Sequence, residues 1–261
     1  MFLKVDNIAI QELEIYSSLR ESAFREDGSF IADSPKVVNL VLESGVEIKS
    51  MLATQEYYDE FSELLADKDI PIKYLTTKEE MKKIVGHKIH HNCMMHGIRP
   101  SDVSMDELGD EVLMLDGITS AENVGSIVRS CAALGVDSLV FASQTPHPFN
   151  RRALRVSMGY STHIRTHVHK DIKRSIQEFK AKGYRVFAAE VATGATMLSE
   201  VRTPKKWVLI MGHEGRGIAD EILTLCDEVV TIEMQRSVKS FNVGVAASLM
   251  MYQFKNKGII S

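Results

Sequence analysis

Apolar positions fall along this chain in two rhythms: short continuous runs, and stretches at helical spacing. In the first hundred residues QELEIYSSL reads as helix, GSFIADS as strand, PKVVNLVLESG as helix and VEIKSMLAT as strand. EYYDEFSELLADK (helix), IPIKYLT (strand) and TKEEMKKIVG (helix) follow. Pro35 suits the first turn of its helix, and Gly45 the residue that ends it. The second half repeats the alternation. EVLMLD, SLVFA, RVFAAE, WVLIMG and EVVTIEM are strand-like, with helical spacing over 124–134, 172–182, 218–226 and 243–254. Such alternation predicts α/β layers with largely parallel sheets, and ligands at the carboxyl ends of the strands. HGIRPSDVSMDELGD (96–110) is polar and lacks periodicity. It divides the chain into a smaller domain over 1–100, a linker over 101–110 and a second domain over 111–261.

The bulk properties fit two ordinary cores. The chain has 261 residues, 44% hydrophobic and 25% charged. No apolar run approaches the roughly 18 residues of a membrane span, and the N-terminal stretch lacks a signal peptide's apolar block. A cytoplasmic protein with no membrane partner is expected. Cys93, Cys131 and Cys226 are few and far apart, the pattern of reduced thiols and not of a disulfide framework or zinc site. The net charge is −4, but unevenly spread: residues 1–100 hold 12 Lys+Arg against 17 Asp+Glu. From Ser138 to Lys170 there is no acidic residue, while Arg151, Arg152, Arg155, Arg165 and four histidines lie within it. A one-signed window of this length points to an anionic partner, nucleic acid before others.

Four stretches carry candidate chemistry. GHEGRG (212–217) follows a strand, but it is neither the dinucleotide fingerprint nor a P-loop. Glu214 at its centre would repel a phosphate and suits a donor-rich ligand: a ribose hydroxyl, an amine, a base edge or an arginine. LDGITSAENVGSIVRSCAALG places Asn123 at an expected helix N-cap and Arg129 six residues on, within an otherwise apolar helix. IEMQRSVKSFNVGVAASLMMYQF places Ser240 and Asn242 just before a helix of small and apolar residues. Taken singly each loop reads as plain turn or cap. Together, three polar loops each between strand and helix converge at one end of a sheet. GHKIHHNCMMHG groups His87, His90, His91, Cys93 and His96, but no pair has a common zinc spacing, so no metal is expected.

Those three loops, in this order, resemble the signature motifs of the SpoU (TrmH) family of RNA ribose 2′-O-methyltransferases, within the SPOUT superfamily. The carrying residues are N-x-G-x-x-x-R at Asn123–Arg129, G-x-E-G-x-G at Gly212–Gly217 and S-x-N-V-x-V-A at Ser240–Ala246, with R-x-S-x-G at Arg155–Gly159 between them. The first hundred residues are similar, more weakly, to that family's RNA-binding domain, whose end the His96–Gly97 pair resembles. The resemblance implies an α/β fold with a C-terminal SPOUT parallel sheet, tied in a deep trefoil knot, plus a smaller N-terminal α/β RNA-binding domain. It also implies a homodimer with the active site completed across the interface, and S-adenosylmethionine as methyl donor. By motif, Ala189, Gly212, Ile232 and Phe241 would hold the donor. Arg129 would act on the 2′-hydroxyl, with Asn123, Glu214, Ser240 and Asn242 as its polar support and Arg151, Arg152 and Arg155 on RNA. An arginine stays protonated at any working pH, so Arg129 is expected to orient the hydroxyl and adjacent phosphate and not to serve as a literal base. The separate RNA-binding domain favours ribosomal RNA over transfer RNA. The rivals are a tRNA ribose methyltransferase, a catalytically silent RNA-binding protein and a nucleotide-dependent enzyme on an ordinary doubly wound sheet. Gly244, Phe241, Gln253 and His213 depart from commoner family residues.

Overall fold

A computed structural model of the chain describes residues 2–5, 11–18, 27–86, 90–235 and 237–256. In chain order the elements begin with β1 (Phe2–Lys4), α1 (Glu14–Ser18), β2 (Ser29–Asp33), α2 (Pro35–Glu43) and β3 (Glu47–Ala53). There follow α3 (Gln55–Glu60), α4 (Ser62–Ala66), β4 (Ile72–Leu75), α5 (Lys78–Val85) and β5 (Cys93–Ile98). Then come β6 (Glu111–Leu115), α6 (Ala121–Leu134), β7 (Ser138–Ala142), α7 (Arg151–Val156), β8 (Arg165–His169), α8 (Ile172–Ala181) and β9 (Arg185–Ala189). The last are β10 (Thr196–Met197), β11 (Trp207–Met211), α9 (Asp220–Leu223), β12 (Glu228–Thr231) and α10 (Val243–Asn256). The chain forms two compact units: residues up to Ser101 with Pro148–Thr162, and Asp102–His147 with the chain from His163 onward.

In the first unit the sheet order is β1-β4-β3-β5-β2. β1, β4 and β3 are parallel, while β5 runs antiparallel to both β3 and β2. The sheet is therefore mixed where a largely parallel one was expected, because β5 lies within the stretch read as a histidine cluster. Period-two alternation sends Phe30, Ala32, Met51, Cys93 and Met95 to one core and Ile31, Leu52 and Met94 to the other. Gly97 pairs with Phe30, and a Cβ there would sit 2.8 Å from that ring, so the strand needs glycine at this point. Helix ends follow the sequence signals: Pro35 opens α2, Thr77 and Glu80 form a capping box on α5, and Gly86 closes α5 in the left-handed conformation. The helix expected over EYYDEFSELLADK is two helices separated at Phe61.

Pro148–Thr162 belongs to this unit although it comes from the later half of the sequence. Phe149 and Leu154 are part of its core, and the Phe149 ring meets Phe30 edge-on at 5.0 Å. The polar stretch expected as a linker is packed within the second unit: Val103 donates its N–H to Thr166 at 2.7 Å, Thr166 donates its hydroxyl to Asp102 at 2.6 Å, and Met105 and Leu108 are buried.

The second unit carries seven strands in the order β10-β12-β9-β11-β6-β7-β8, every pair parallel. Its central strands are short unbroken apolar runs because both faces are covered. Val112, Met114, Val186, Val208 and Ile210 pack against Ile176, Phe179 and Ile222 of α8 and α9. From α10, Phe254 meets Phe187 and Trp207 edge-on, at 5.0 and 5.3 Å. The three cysteines are free thiols, with Cys93 and Cys131 buried.

Candidate active site

The carboxyl ends of the adjacent strands β6 and β11, with β12 two places along the sheet, deliver the three polar loops of the second unit. Ser120 caps α6, its side chain accepting the Asn123 N–H at 3.2 Å. The expected N-cap, Asn123, is therefore the third residue of the helix. Its side chain is spared for other partners. Its Nδ2 donates to Glu214 Oε1 at 2.9 Å, while the Ser120 and Thr119 N–H groups donate more weakly to the same carboxylate at 3.4 Å. Asn242 donates in turn to Asn123 Oδ1 at 3.0 Å, and its own Oδ1 accepts the Gly244 N–H at 2.9 Å at the start of α10. One chain of hydrogen bonds, Asn242 to Asn123 to Glu214, ties the three loops together. Burial pushes the Glu214 carboxyl up, but the hydrogen bonds, led by that from Asn123, outweigh it and hold the group below the ordinary glutamate range.

The glycine loop folds tightly on itself. A Cβ at Gly212 would lie 2.6 Å from Ile218 Cγ1 and 2.7 Å from the Gly217 carbonyl carbon, so this wall must present bare backbone. Gly217 has φ +67 and returns its N–H to His213 O at 2.9 Å. His213 Nδ1 accepts the Gly215 N–H at 2.9 Å, which places the ring proton of the neutral form on Nε2.

Beside these loops lies a cavity of about 590 Å³, within the usual range for small-molecule sites. Ala189, Gly212, Ile232 and Phe241, the four expected donor-holding positions, all line it. Asn123, Glu214, Ser240 and Asn242 line it too. Arg129 does not. It is exposed on α6, six residues or about 9 Å of rise beyond Asn123, and makes no hydrogen bond or ion pair among the described residues.

In the first unit, Arg151 and Arg155 are committed to structure. Both bind Asp33, at 2.6 and 2.8 Å, and the Arg151 side chain is 8% exposed against 2% for Asp33. Burial raises the Asp33 carboxyl, yet the Arg151 charge and the Arg155 bonds overcome it and leave the group below the usual aspartate range. Arg151, expected on RNA, is thus a buried counter-ion; Arg152 and Arg155 are exposed. His87 lies outside the described residues. Among those described, no group of three His, Cys, Asp or Glu side chains is placed to hold a metal, and no helix is long and apolar enough to cross a membrane.

The motifs did not single out Glu190. It follows Ala189 at the end of β9, lines the cavity, and accepts the Ile218 N–H at 2.8 Å and the Val191 N–H at 2.9 Å. The usable signal was positional: an acid at the carboxyl end of a parallel strand, beside a residue already assigned to the pocket.

Comparison with known proteins gives the family and the fold. The sequence pattern of the SpoU rRNA Methylase family matches residues 110–252. An uncharacterized tRNA/rRNA methyltransferase of Mycobacterium bovis is 29% identical over 234 residues, covering 87% of this chain and 81% of that protein. The 23S rRNA (guanosine(2553)-2′-O)-methyltransferase RlmP of Bacillus subtilis is 29% identical over 145 residues, 56% of this chain and 58% of its own. Among solved structures, the AdoMet-bound rRNA methyltransferase of Sinorhizobium meliloti superposes with a TM-score of 0.82 at 20% identity, covering 97% of each chain. That likeness establishes the fold, and the family pattern spans the sheet, the glycine loop and all three bonded motifs. The chain belongs to the SpoU rRNA methylase family.

Proposed function

We propose that this protein transfers a methyl group from S-adenosylmethionine to a ribose 2′-hydroxyl of structured RNA, with ribosomal RNA the favoured target. The observation that carries the reading is the Asn242–Asn123–Glu214 chain at a cavity lined by Ala189, Gly212, Ile232 and Phe241. The cavity's chemistry fits the donor. Bare backbone at Gly212 permits close approach. The Glu214 carboxylate suits a ligand bearing hydroxyls and positive charge, and disfavours a phosphate. When bound, S-adenosylmethionine supplies a methyl group already activated on a sulfonium. The protein's task is then alignment of hydroxyl oxygen, methyl carbon and leaving sulfur; the hydroxyl proton leaves late, to water. Gly212, Ile232 and Phe241 hold the donor through backbone, with Ala189 against it. Asn123, Glu214, Ser240 and Asn242 orient the polar side of the pocket, and Arg129 orients the 2′-hydroxyl and its phosphate.

Arg129 stands outside the cavity of one chain, which supports completion of the site by a second copy. Val245, Leu249 and Tyr252 on α10, with Phe241 two residues before it, form an exposed apolar stripe, between 41% and 59% exposed, that suits burial in such a homodimer. The trefoil knot belongs to this reading through the family resemblance; the sheet order β10-β12-β9-β11-β6-β7-β8 is compatible with it. The unit containing β1–β5 serves RNA binding in this reading, with Arg152 and the exposed part of Arg155 as contacts. The Bacillus subtilis relative, named as a ribosomal RNA 2′-O-methyltransferase, supports ribose as the acceptor.

Calorimetry with S-adenosylmethionine, followed by transfer of labelled methyl to ribosomal and transfer RNA, tests the reading. Arg129→Ala is expected to bind the donor normally and lose nearly all transfer. A protein that binds no donor, or an Arg129→Ala variant with near-normal turnover, overturns it.

A further inference from the structure

Glu190 bridges two loops that leave neighbouring strands. One carboxylate oxygen accepts the N–H of Val191, at the start of its own loop after β9. The other accepts the N–H of Ile218, where the glycine loop after β11 ends, at 2.8 Å. Ile218 is buried in the core beneath α8 and α9, so this contact fixes the loop's exit against a rigid layer. The fit is tight on the other side too: a side chain at Gly217 would run into the Glu190 carboxylate. The loop's entry is held separately, by Gly217 bonding back to His213 and by the contact between Gly212 and Ile218. Glu190 is therefore the only side chain among the described residues that donates or accepts a hydrogen bond between the β9 loop and the glycine loop. Both loops wall the cavity.

We propose that Glu190 is a positioning residue that sets the width of the donor pocket by strapping the glycine loop to the β9 loop. The proposal rests on the methyl-donor reading of the cavity. Without the carboxylate the Ile218 N–H is left unpaired beside a buried side chain, and the loop relaxes away from the opposite wall. Donor affinity falls, while the bond from Asn123 still holds Glu214 at the middle of the same loop. A hydrogen bond to a charged group contributes enough to change affinity by about tenfold.

The test compares the full-length protein with Glu190→Ala and Glu190→Gln. Amide hydrogen exchange at Ile218 is read without any donor, S-adenosylmethionine affinity is read by calorimetry, and KM is separated from kcat where RNA is methylated. In Glu190→Ala, Ile218 exchange quickens, and Kd and KM for S-adenosylmethionine rise about tenfold, while kcat at saturation stays within about twofold. Glu190→Gln falls between, because its one amide oxygen serves Ile218 but its NH₂ meets the Val191 N–H. It also decides the matter if the alanine variant does not fold. Unchanged exchange, or faster exchange with unchanged Kd, overturns the proposal. Failure of the wild-type protein to bind S-adenosylmethionine sinks the methyltransferase reading instead, and the exchange contrast then decides the strap by itself.

Discussion

Replacing Asn123 by alanine removes the middle of the hydrogen-bond chain and separates the catalytic role proposed for it from its structural one. Two side-chain bonds disappear, the 2.9 Å donation to Glu214 and the 3.0 Å acceptance from Asn242. A typical hydrogen bond contributes about 1 kcal/mol net. Glu214 is exposed, so water takes over part of the lost donation and screens the charge. Asn242 still caps α10 through Gly244. The stability loss should be about 1 kcal/mol, a fall in Tm of roughly 2–4 °C for a chain this long. Turnover should suffer far more, because removing one preorganised polar group from a reacting site costs about 100-fold in rate. Melting followed by circular dichroism and labelled methyl transfer at saturating donor give the two numbers. A third readout is the Glu214 carboxyl, followed by carbon NMR. Without its strongest lowering contact it should titrate at higher pH than in the wild type. The wild-type group is depressed on folding, so its stabilisation is complete above the unfolded value of about 4.3 and is lost as pH falls through the folded value. The variant should lose less over that window. Turnover within about fivefold of wild type in a folded Asn123→Ala protein would refute the reasoning.

Asp33→Ala should cost the first unit about 3 kcal/mol, because it strands the buried Arg151 without a counter-charge. Circular dichroism must read it, since the single tryptophan, Trp207, is buried in the second unit. Gly244→Ser, which restores a commoner family residue, should destabilise by about 1–3 kcal/mol: its Cβ would lie 3.0 Å from Ser126 Oγ and 3.2 Å from Asn242 Oδ1. Adding Ser126→Ala, which removes the nearest contact and keeps α6 helical, should recover part of that loss in a double-mutant melt. His169 is buried with neither ring nitrogen hydrogen-bonded among the described residues, and burial lowers its pKa. Stability should thus be full above the unfolded value of about 6.5 and decline as pH falls toward the folded value. His91 is also depressed by burial and adds to the same acid decline. Urea midpoints at about pH 7.5 and 5.5 should differ less in His169→Leu than in wild type.

The sequence made the second sheet's centre easy to read and its edges hard. EVLML, SLVFA and WVLIM are apolar throughout because helices cover both faces, whereas the edge strand β8 is RTHVH, too polar to look like a strand. β5 was obscured by its histidines. The break at Phe61 that divides the expected helix into α3 and α4 carries no Gly or Pro to mark it. The helix expected over 218–226 is a single turn, Asp220–Leu223, because its apolar spacing serves loop packing around Ile218 and Ile222. In the candidate site, the family resemblance named nine positions, and all but Arg129 line one cavity. Three things were not legible. A serine, and not Asn123, caps α6. Arg151 answers to Asp33, 118 positions away in sequence. Glu190 bonds backbone 28 residues on, a pairing that depends on β9 and β11 lying side by side.

The most direct test of the central claim is a map of ribose 2′-O-methylation in the total RNA of cells with and without this protein. The account predicts a defined ribose methyl, in ribosomal RNA, that disappears with the protein. Wild-type protein should restore it; the Asn123→Ala and Arg129→Ala variants should not. An unchanged ribose map, or a methyl lost from a base instead of a ribose, would contradict it.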